Sequence, residues 1–435
     1  MEKNNFRKIA TITLFESAVQ WYCFLLYGTA AGTVFHKVFF SQTGNGTTVL
    51  ILSYMSFAIG YIAGPFGAVF FGHIGDRKGR KVTMYASLLM MGISTSIIGI
   101  LPPAASAGVG VVIVLQLMRL AQCFGRGGTW GGGILMAYEN VPENKRSFYA
   151  AIPQIGLPIG FGLSSILIAV PTLLLPEDIF FTWGWRIPFL AAIILTVIVI
   201  RQKGEMMETE DYKKAQAKLE AEEAEGKKHK VGFIPMVKGY WKTLLLGCGT
   251  RWVDGTFYNI FIVWILSYCI NWLGMPLIQT YIITIIACIF KIPFTLFGGW
   301  CAQKLGNTRT FVIGALASAV LSIPTLKVIE LSKGNLAITI IGIVLGWSIA
   351  YNLIWAVISS LWSSYFETEV RYSGISFVYH VPSFLVAGMV PTICTLLINY
   401  GKGDTIYVGI YSTVVALISA ACALALKARH DRGEK

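Results

Sequence analysis

Gly72-His-Ile-Gly-Asp-Arg-Lys-Gly-Arg-Lys81 is a short basic stretch between two apolar runs, at residues 49–71 and 82–101. Each run is long enough to cross the hydrocarbon core of a bilayer, which takes about 20 helical residues. The stretch is therefore predicted to be a tight loop between two membrane helices, because its glycines let the backbone turn sharply. Short basic loops stay in the cytoplasm, so this loop also predicts the orientation of the chain.

The composition extends this interpretation to the whole chain. Of the 435 residues, 55% are hydrophobic and 13% are charged, whereas a soluble domain carries about 25% charged residues. We predict an all-α membrane protein with twelve transmembrane helices, a multi-pass protein of the cell membrane with both termini in the cytoplasm. The predicted spans are 11–35, 49–71, 82–101, 109–138, 148–175, 184–200, 243–270, 277–300, 310–330, 336–364, 373–398 and 405–426.

The formal net charge of +13 does not predict nucleic-acid binding, because most of the 35 Lys and Arg residues lie in predicted cytoplasmic segments. Lys37, Lys333 and Lys402 fall in predicted outer loops. The eight cysteines and five histidines show no metal-ligand spacing, and no Ser–His pairing has a useful spacing. We therefore predict no metal, no cofactor and no enzymatic activity.

The middle of the chain is a charged segment that divides it into two parts. Residues 201–242 are rich in charge and poor in large apolar side chains. They are predicted to form a cytoplasmic linker, either a spacer or a lid, between six-helix bundles at residues 1–200 and 243–435.

The two halves show a faint internal repeat. Phe297-Gly-Gly-Trp-Cys-Ala-Gln-Lys-Leu-Gly306 aligns with the opening stretch when Gly299 is set on Gly72, and Gln303 then takes the place of Asp76. Duplicated bundles with a site between them at mid-membrane are typical of secondary transporters.

Ionisable residues inside the predicted spans are costly to bury and therefore indicate function. They are Glu16, Arg119, Arg126, Glu139, Arg251, Asp254, Lys291 and His380. The basic residues outnumber the acidic ones, so a bound anion would balance the site.

Arg119 and Arg126 lie seven residues apart, two helical turns, with Gln122 between them. The face that they share can line a cavity and hold a carboxylate through two hydrogen bonds from one guanidinium group. In the alternative interpretation, one arginine pairs with Glu139 or Glu16 as a structural ion pair. These two acids are also candidates for proton coupling.

Arg251 and Asp254 are three residues apart, a spacing that predicts an ion pair within one helix. Either the pair is permanent, or protonation of Asp254 releases Arg251 for the substrate. Lys291 is predicted to be a cavity cation or a partner of Asp254. His380 is predicted to be either a packing residue or a ligand contact.

Aromatic side chains are frequent in the predicted spans, and most should fill helix interfaces. Tyr258, Trp355 and Tyr379 are candidates to face the substrate, which would suit a cyclic or aromatic acid. Gln154, which follows Pro153, is a candidate polar ligand on a span interrupted by glycine and proline.

Several stretches carry a resemblance to a known family. They are Trp21-Tyr-Cys-Phe-Leu-Leu-Tyr-Gly28, Arg119-Leu-Ala-Gln-Cys-Phe-Gly125, Glu139-Asn-Val-Pro-Glu-Asn-Lys-Arg146, Trp183-Gly-Trp-Arg-Ile-Pro-Phe189, Arg251-Trp-Val-Asp254 and Val370-Arg-Tyr-Ser-Gly374. The opening stretch is similar to the signature loop between helices two and three of the major facilitator superfamily. The other stretches resemble its metabolite:proton symporter family, which includes permeases for shikimate, alpha-ketoglutarate and proline or betaine. The resemblance implies a twelve-helix fold, alternating access and transport of small organic solutes, commonly carboxylates or zwitterions.

The resemblance also implies proton symport, with Asp254 as the residue matched to that role. The chain departs from the family pattern at Gln20, Cys23 and Thr129, where acids are expected, and at Gly64, where an arginine is frequent. Because these acids are missing, exchange and uniport are also considered as alternatives to proton symport.

Alternating access further implies that the two bundles rock around the site and that cytoplasmic loops form a gate. The predicted gate residues are Gly72, Asp76, Arg77, Gly79, Arg80, Glu143, Arg146, Glu367 and Arg371.

The sequence thus predicts a secondary transporter of a small organic anion, with proton coupling as the default. The alternatives are a uniporter or exchanger of a zwitterionic or neutral metabolite, and a non-transporting sensor with the same fold. The predicted partners are the anion, a proton and the lipid bilayer, without nucleic acid. The chain is predicted to act as a monomer.

Overall fold

The computed structural model describes residues 3–41, 46–78, 80–139, 141, 145–202, 233–367 and 370–434. These ranges are helical and contain no β-strand. Their long helices, α1 to α12, are Lys3–Thr33, 46–78, Arg80–Ile100, Val109–Glu139, Arg146–Leu174, 177–202, 233–271, Leu277–Leu305, Asn307–Leu331, Leu336–Tyr365, 371–400 and Ile406–Asp431. Short helices at Phe35–Val38 and Ala104–Ala107 follow α1 and precede α4. Each predicted span overlaps one long helix, which confirms the predicted all-α class.

The apolar character of these helices fits a membrane. Within the described ranges, ten helices are long and apolar enough to cross a bilayer, and the second part of α11, Val390–Tyr400, is a shorter apolar helix. Large apolar side chains such as Phe66, Leu173, Val320 and Leu385 are exposed on the outside of the bundle. Such exposure is stable where lipid, rather than water, surrounds the protein.

Residues 203–232 of the predicted linker lie outside the described residues, and α7 already begins at residue 233. The division into bundles at residues 1–200 and 243–435 stays a prediction.

Several helices are interrupted by turns that are not α-helical. Such turns shift the hydrogen-bond ladder and are frequent at functional sites. They are 3₁₀ turns at Gly60–Ile62 in α2 and Pro153–Ile155 in α5, and π-helical turns at Phe180–Gly184 in α6, Ile260–Trp264 in α7, Val344–Ala350 in α10 and Phe384–Gly388 in α11.

Helices α2 and α4 pack backbone against backbone along what we name the α2–α4 seam, formed by Gly67 and Gly127. A Cβ atom on Gly67 would lie 1.9 Å from the carbonyl oxygen of Phe124. A Cβ atom on Gly127 would lie 2.4 Å from the amide nitrogen of Ala68. Glycine is therefore required at both positions, and the two helices approach closely, as small residues allow in membranes.

Helices α1–α6 contact helices α7–α12 at both ends of the bundle. We name the end where α6 finishes and α7 begins the linker end, and the opposite one the far end. At the far end, the Tyr54 hydroxyl donates to Ser267 Oγ at 2.6 Å, and the Tyr281 hydroxyl donates to Thr33 Oγ1 at 3.2 Å.

At the linker end, the Phe148 amide donates to Gln303 Oε1 at 3.4 Å. Next to it, a Cβ atom on Gly299 would lie 2.7 Å from the side chain of Ala151. The ionisable residues at the centre, Arg126, Arg251 and Asp254, are buried between these two sets of contacts.

Candidate substrate site

The central ion pair is formed by Arg251 and Asp254 on α7. The Arg251 guanidinium donates to the Asp254 carboxylate, and both side chains are buried. The ion pair predicted from their spacing is therefore present. The Tyr351 hydroxyl of α10 donates to the other carboxylate oxygen of Asp254. This carboxylate thus has one charged and one neutral partner.

Arg126 of α4 reaches across to the C-terminal helices. Its Nη2 donates to the hydroxyl of Tyr379 on α11, and its guanidinium carbon lies 4.5 Å from the Trp21 ring centre and 3.8 Å from that of Phe24. Among the described residues its Nε has no hydrogen-bond partner, although the side chain is buried, with 3% of the residue exposed. Aromatic faces attract a cation but do not neutralise it.

Arg119 lies deeper among the N-terminal helices. Its guanidinium carbon is 4.5 to 4.7 Å from the ring centres of Phe24, Tyr27 and Phe57, and its Nη1 donates to Gln122 Oε1. A Cβ atom on Gly60 would be only 2.6 Å from its Nε. Arg119 is thus enclosed by α1, α2 and α4.

Gln122 connects three helices. Besides accepting from Arg119, it donates to the carbonyl of Cys23 at 2.9 Å and to Thr95 Oγ1 at 2.7 Å. The hydrogen bonds of the Gln122 side chain therefore hold α4 to α1 and α3 within the N-terminal helices.

Lys291 of α8 is fully buried beside α10. Its Nζ lies 4.6 Å from the Trp347 ring centre and 4.4 Å from that of Tyr351, and it donates to the Trp347 carbonyl at 3.4 Å. The carbonyl belongs to the π-helical turn Val344–Ala350, whose shifted ladder frees backbone oxygens. Of the two predictions for Lys291, a direct ion pair with Asp254 is not formed.

Basic residues exceed acidic ones at this centre. No Asp or Glu of the described chain forms an ion pair with Arg119, Arg126 or Lys291, whereas Arg251 is paired with Asp254. The alternative in which Glu16 pairs with Arg119 or Arg126 is therefore not seen. The Glu139 side chain lies outside the described residues.

His380 follows Tyr379 at the end of the α11 segment Arg371–His380. Its ring is 5.0 Å from that of Tyr379, and its Nδ1 would be 2.8 Å from a Cβ atom on Gly64 of α2. Its Nε2 is buried and makes no hydrogen bond to any described residue. The imidazole therefore occupies the space that the absence of a side chain at Gly64 leaves.

Aromatic rings join the two sets of helices around Trp21 of α1. Its ring centre lies 5.7 Å from that of Tyr258 and 5.4 Å from that of Trp355. Trp355 and Gln154 exchange hydrogen bonds, since each side chain donates to the other's backbone carbonyl, at 2.9 and 3.3 Å. This exchange fastens α5 to α10 at the 3₁₀ turn of α5.

The remaining predicted residues are the acid Glu16 and the predicted gate residues. Glu16 is buried on α1 and lies within electrostatic reach of Tyr85. Arg146 and Arg371 lie at the linker end, 5.4 and 5.6 Å from the ring centre of Tyr138. The side chains of the other predicted gate residues, Gly72, Asp76, Arg77, Gly79, Arg80 and Glu143, lie outside the described residues, and Glu367 lies in the segment after α10.

Two central residues were missed from the sequence. Tyr351 links Asp254 to Lys291, and Tyr61 of the 3₁₀ turn in α2 lies within electrostatic reach of Arg126 and Arg251. Tyr351 lies one helical turn before Trp355, so the helical period of α10 was a usable signal for it.

A family model described as Major Facilitator Superfamily matches residues 22–388. The chain belongs to this superfamily. An inner membrane metabolite transport protein of Escherichia coli (strain K12) is 33% identical over 98% of this chain and 96% of its own length. The shikimate transporter of the same strain is 31% identical over 97% and 94%, and a proline/betaine transporter of Salmonella typhimurium is 27% identical over 99% and 85%.

Solved structures of the superfamily share the fold. The crystal structure of the D-xylose-proton symporter has a TM-score of 0.72 with 15% identity over 96% of both chains. The proton:xylose symporter bound to 6-bromo-6-deoxy-D-glucose has a TM-score of 0.75 with 17% identity over 98% of this chain and 95% of that one. The predicted twelve-helix architecture of the superfamily is thereby confirmed.

The superfamily assignment confirms the coarse functional predictions. The chain is a multi-pass protein of the cell membrane, a secondary transporter of small metabolites and not an enzyme.

Proposed function

We propose that this superfamily member carries a small organic anion, a carboxylate, by alternating access and together with a proton. One observation supports the anion above all others. Arg126 is buried at the centre, its hydrogen-bond partner is a neutral hydroxyl, and its Nε has no partner in the part of the chain that the structure describes. A buried charge without an opposite charge is costly, and a substrate carboxylate would remove that cost.

The carboxylate would lie between Arg126 and Arg251, next to His380 and Tyr258. Both guanidinium groups lie over the ring of Tyr379, at 5.3 and 4.3 Å from its centre. One arginine belongs to α4 and the other to α7, so a bound anion would contact both halves of the molecule. Among the relatives, the shikimate transporter is named for an acid of this class.

Asp254 is the residue that we assign to the proton. While it is ionised, it holds Arg251 through the ion pair. A proton on the Asp254 carboxylate would remove this negative charge and leave Arg251 available to the substrate. Glu16 and Glu139 remain alternative carriers, because their positions in spans would also bury a carboxylate.

Alternating access would open the two ends in turn. The far-end contacts of Tyr54 and Tyr281 and the linker-end contact of Gln303 would separate alternately as the proposed bundles, 1–200 and 243–435, rock around the site. Arg146 and Arg371, together with the predicted loop residues, would take part in the linker-end gate. We propose that a monomer is sufficient for this cycle.

A zwitterion is the second candidate. The rings of Trp21, Tyr258 and Trp355 form a cluster that can accept an ammonium group by cation–π contact. Among the relatives, a proline/betaine transporter is named for such solutes.

Uptake into proteoliposomes tests both candidates. Labelled shikimate, proline, glycine betaine and D-xylose would be offered with and without an inward proton gradient and with a protonophore. We expect accumulation of the acid that the protonophore abolishes, and loss of accumulation with retained exchange in Asp254→Asn. Arg126→Gln should reduce acid uptake by about a hundredfold, because losing one partner of a buried charge pair costs about 2–5 kcal/mol.

Arg201→Gln is the matched control, since Arg201 is exposed at the end of α6. Uptake of proline, glycine betaine or D-xylose without uptake of any acid would refute the anion assignment. Proton-driven accumulation that survives Asp254→Asn would refute the proton assignment. Absence of exchange with every solute would favour a non-transporting sensor.

A further inference from the structure

We propose that the hydroxyl group of Tyr379 is an internal competitor of the substrate, occupying the place on Arg126 that the substrate carboxylate takes. The inference rests on the proposed anion function and adds a residue that sets its affinity. Tyr379 is 1% exposed and lies between the two central guanidinium groups.

Tyr379 is one of the residues through which the two halves contact each other, and it is the one that contacts both central arginines. Arg126 of α4 donates to its hydroxyl, while Arg251 of α7 lies over its ring, 4.3 Å from the centre. The edge of the Trp362 ring packs on it, with ring centres 6.2 Å apart. The hydroxyl therefore satisfies one donor of Arg126 without supplying a negative charge.

A carboxylate is the stronger acceptor for this donor. Hydrogen bonds between two charged groups are roughly twice as strong as neutral ones, and a carboxylate can accept from two nitrogens of one guanidinium. The unpartnered Nε of Arg126 supplies the second donor. A carboxylate at Arg126 thus displaces the hydroxyl, and a neutral solute gains too little to do so.

The backbone around Tyr379 provides a place for the ring to move. The regular helix Arg371–His380 ends one residue later, and a π-helical turn at Phe384–Gly388 follows. A change of backbone angles between these two segments shifts the Tyr379 ring while Val390–Tyr400 stays packed.

Displacement has a consequence for the transport cycle. The Tyr379 hydroxyl belongs to α11 and Arg126 to α4, so its release breaks a contact between the two sets of helices. Anion binding thereby exchanges the direct contact between Arg126 and Tyr379 for a contact that the anion itself makes with Arg126 and Arg251. Removing the hydroxyl should make the carboxylate bind more tightly, because it no longer has to displace a competitor.

The test measures shikimate binding to detergent-purified protein by equilibrium dialysis, and its KM and kcat in exchange. Tyr379→Phe keeps the ring and removes the hydroxyl. We expect Kd and KM to fall about tenfold, the worth of one hydrogen bond to a charged group. A KM that falls more than in a variant that only loosens the interface separates this role from a structural one. Tyr379→Leu serves the same purpose if the Phe variant does not fold.

Tyr281→Phe is the matched control, because it also removes a hydroxyl that joins the two sets of helices, but at Thr33 and away from any guanidinium. Its shikimate Kd should fall clearly less than that of Tyr379→Phe, because its only effect is a looser far end. An unchanged or raised Kd in Tyr379→Phe overturns the inference and leaves the anion function standing. An equal fall in both variants assigns the effect to a looser interface and also overturns it. If the wild type binds no carboxylate, the proposed function fails and the inference fails with it.

Discussion

Breaking the Arg251–Asp254 pair from one side should destabilise the protein more than removing it entirely. Asp254→Asn leaves the Arg251 charge buried without its partner. Arg251→Met likewise leaves the Asp254 charge buried without an opposite charge. Removing one partner of a buried ion pair typically costs about 3–5 kcal/mol. The double variant has neither charge, so most of this cost should be recovered.

The expected size of the effect on thermal unfolding follows from chain length. An unfolding entropy of about 2.1 cal/mol/K per residue amounts to about 0.9 kcal/mol/K for 435 residues. Each single variant should therefore lower the apparent melting temperature by about 3–5 °C. The double variant should lie within about 1–2 °C of the wild type. The measurement is tryptophan fluorescence in detergent at one fixed heating rate.

Asp404→Asn is the control for removing a carboxylate as such. Asp404 is paired with Lys327 but lies at the surface, where ion pairs contribute little to stability. Its melting temperature should change by about 1 °C or less. The assignment of a strongly coupled buried pair would be refuted by either of two results. One is single variants with the melting temperature of the wild type, and the other is a double variant whose melting temperature falls by the sum of the two single decreases.

Three further predictions concern packing and pH. Gly64→Ala places a Cβ atom 2.8 Å from His380 Nδ1, so it should cost about 1–3 kcal/mol and lower the melting temperature, and His380→Ala in the same chain should relieve this loss. Gly67→Ala drives a Cβ atom into a backbone carbonyl of α4 at 1.9 Å, so no monodisperse protein should be recovered by size-exclusion chromatography. The hydrogen bond from Lys327 to Asp404 lowers the pKa of that carboxyl, so its stabilisation is complete above the ordinary pKa of aspartate, about 3.9, and is lost as the pH falls through the lowered pKa. Melting temperatures between about pH 6 and 2 should therefore fall less in Lys327→Met than in the wild type.

The controls for these predictions come from the same chain. Gly110→Ala adds a Cβ atom where no heavy atom lies within 4 Å, so it should fold and melt like the wild type. Equal losses in Gly64→Ala with and without the histidine would contradict the steric explanation. Recovery of folded Gly67→Ala would show that the α2–α4 seam can open.

The sequence predicted the features that depend on one helix at a time. Long apolar runs predicted the spans, because a bilayer leaves few alternatives to a helix. A spacing of three residues predicted the Arg251–Asp254 pair, because the helical period alone brings such side chains together. Both predictions needed no knowledge of neighbouring helices.

The features that depend on contacts between helices could not be predicted. Tyr351 reaches Asp254 from a position 97 residues away. Lys291 donates a hydrogen bond to a carbonyl of the π-helical turn at Val344–Ala350, a turn that the sequence does not signal. Arg119 and Arg126 share a helix face, but α2 encloses Arg119, whereas Arg126 reaches Tyr379 of α11.

The α2–α4 seam has a consequence for how this transporter can acquire a different cargo. Main chains in van der Waals contact cannot be reshaped by exchanging side chains, so the wall of the site that α2 and α4 build behaves as a fixed template. The side chains on this wall, Arg126 among them, can still be exchanged, but a change of shape must come from the helices that face it, where Tyr379 and His380 project from α11. Directed evolution toward another solute should accumulate its substitutions on that side of the molecule.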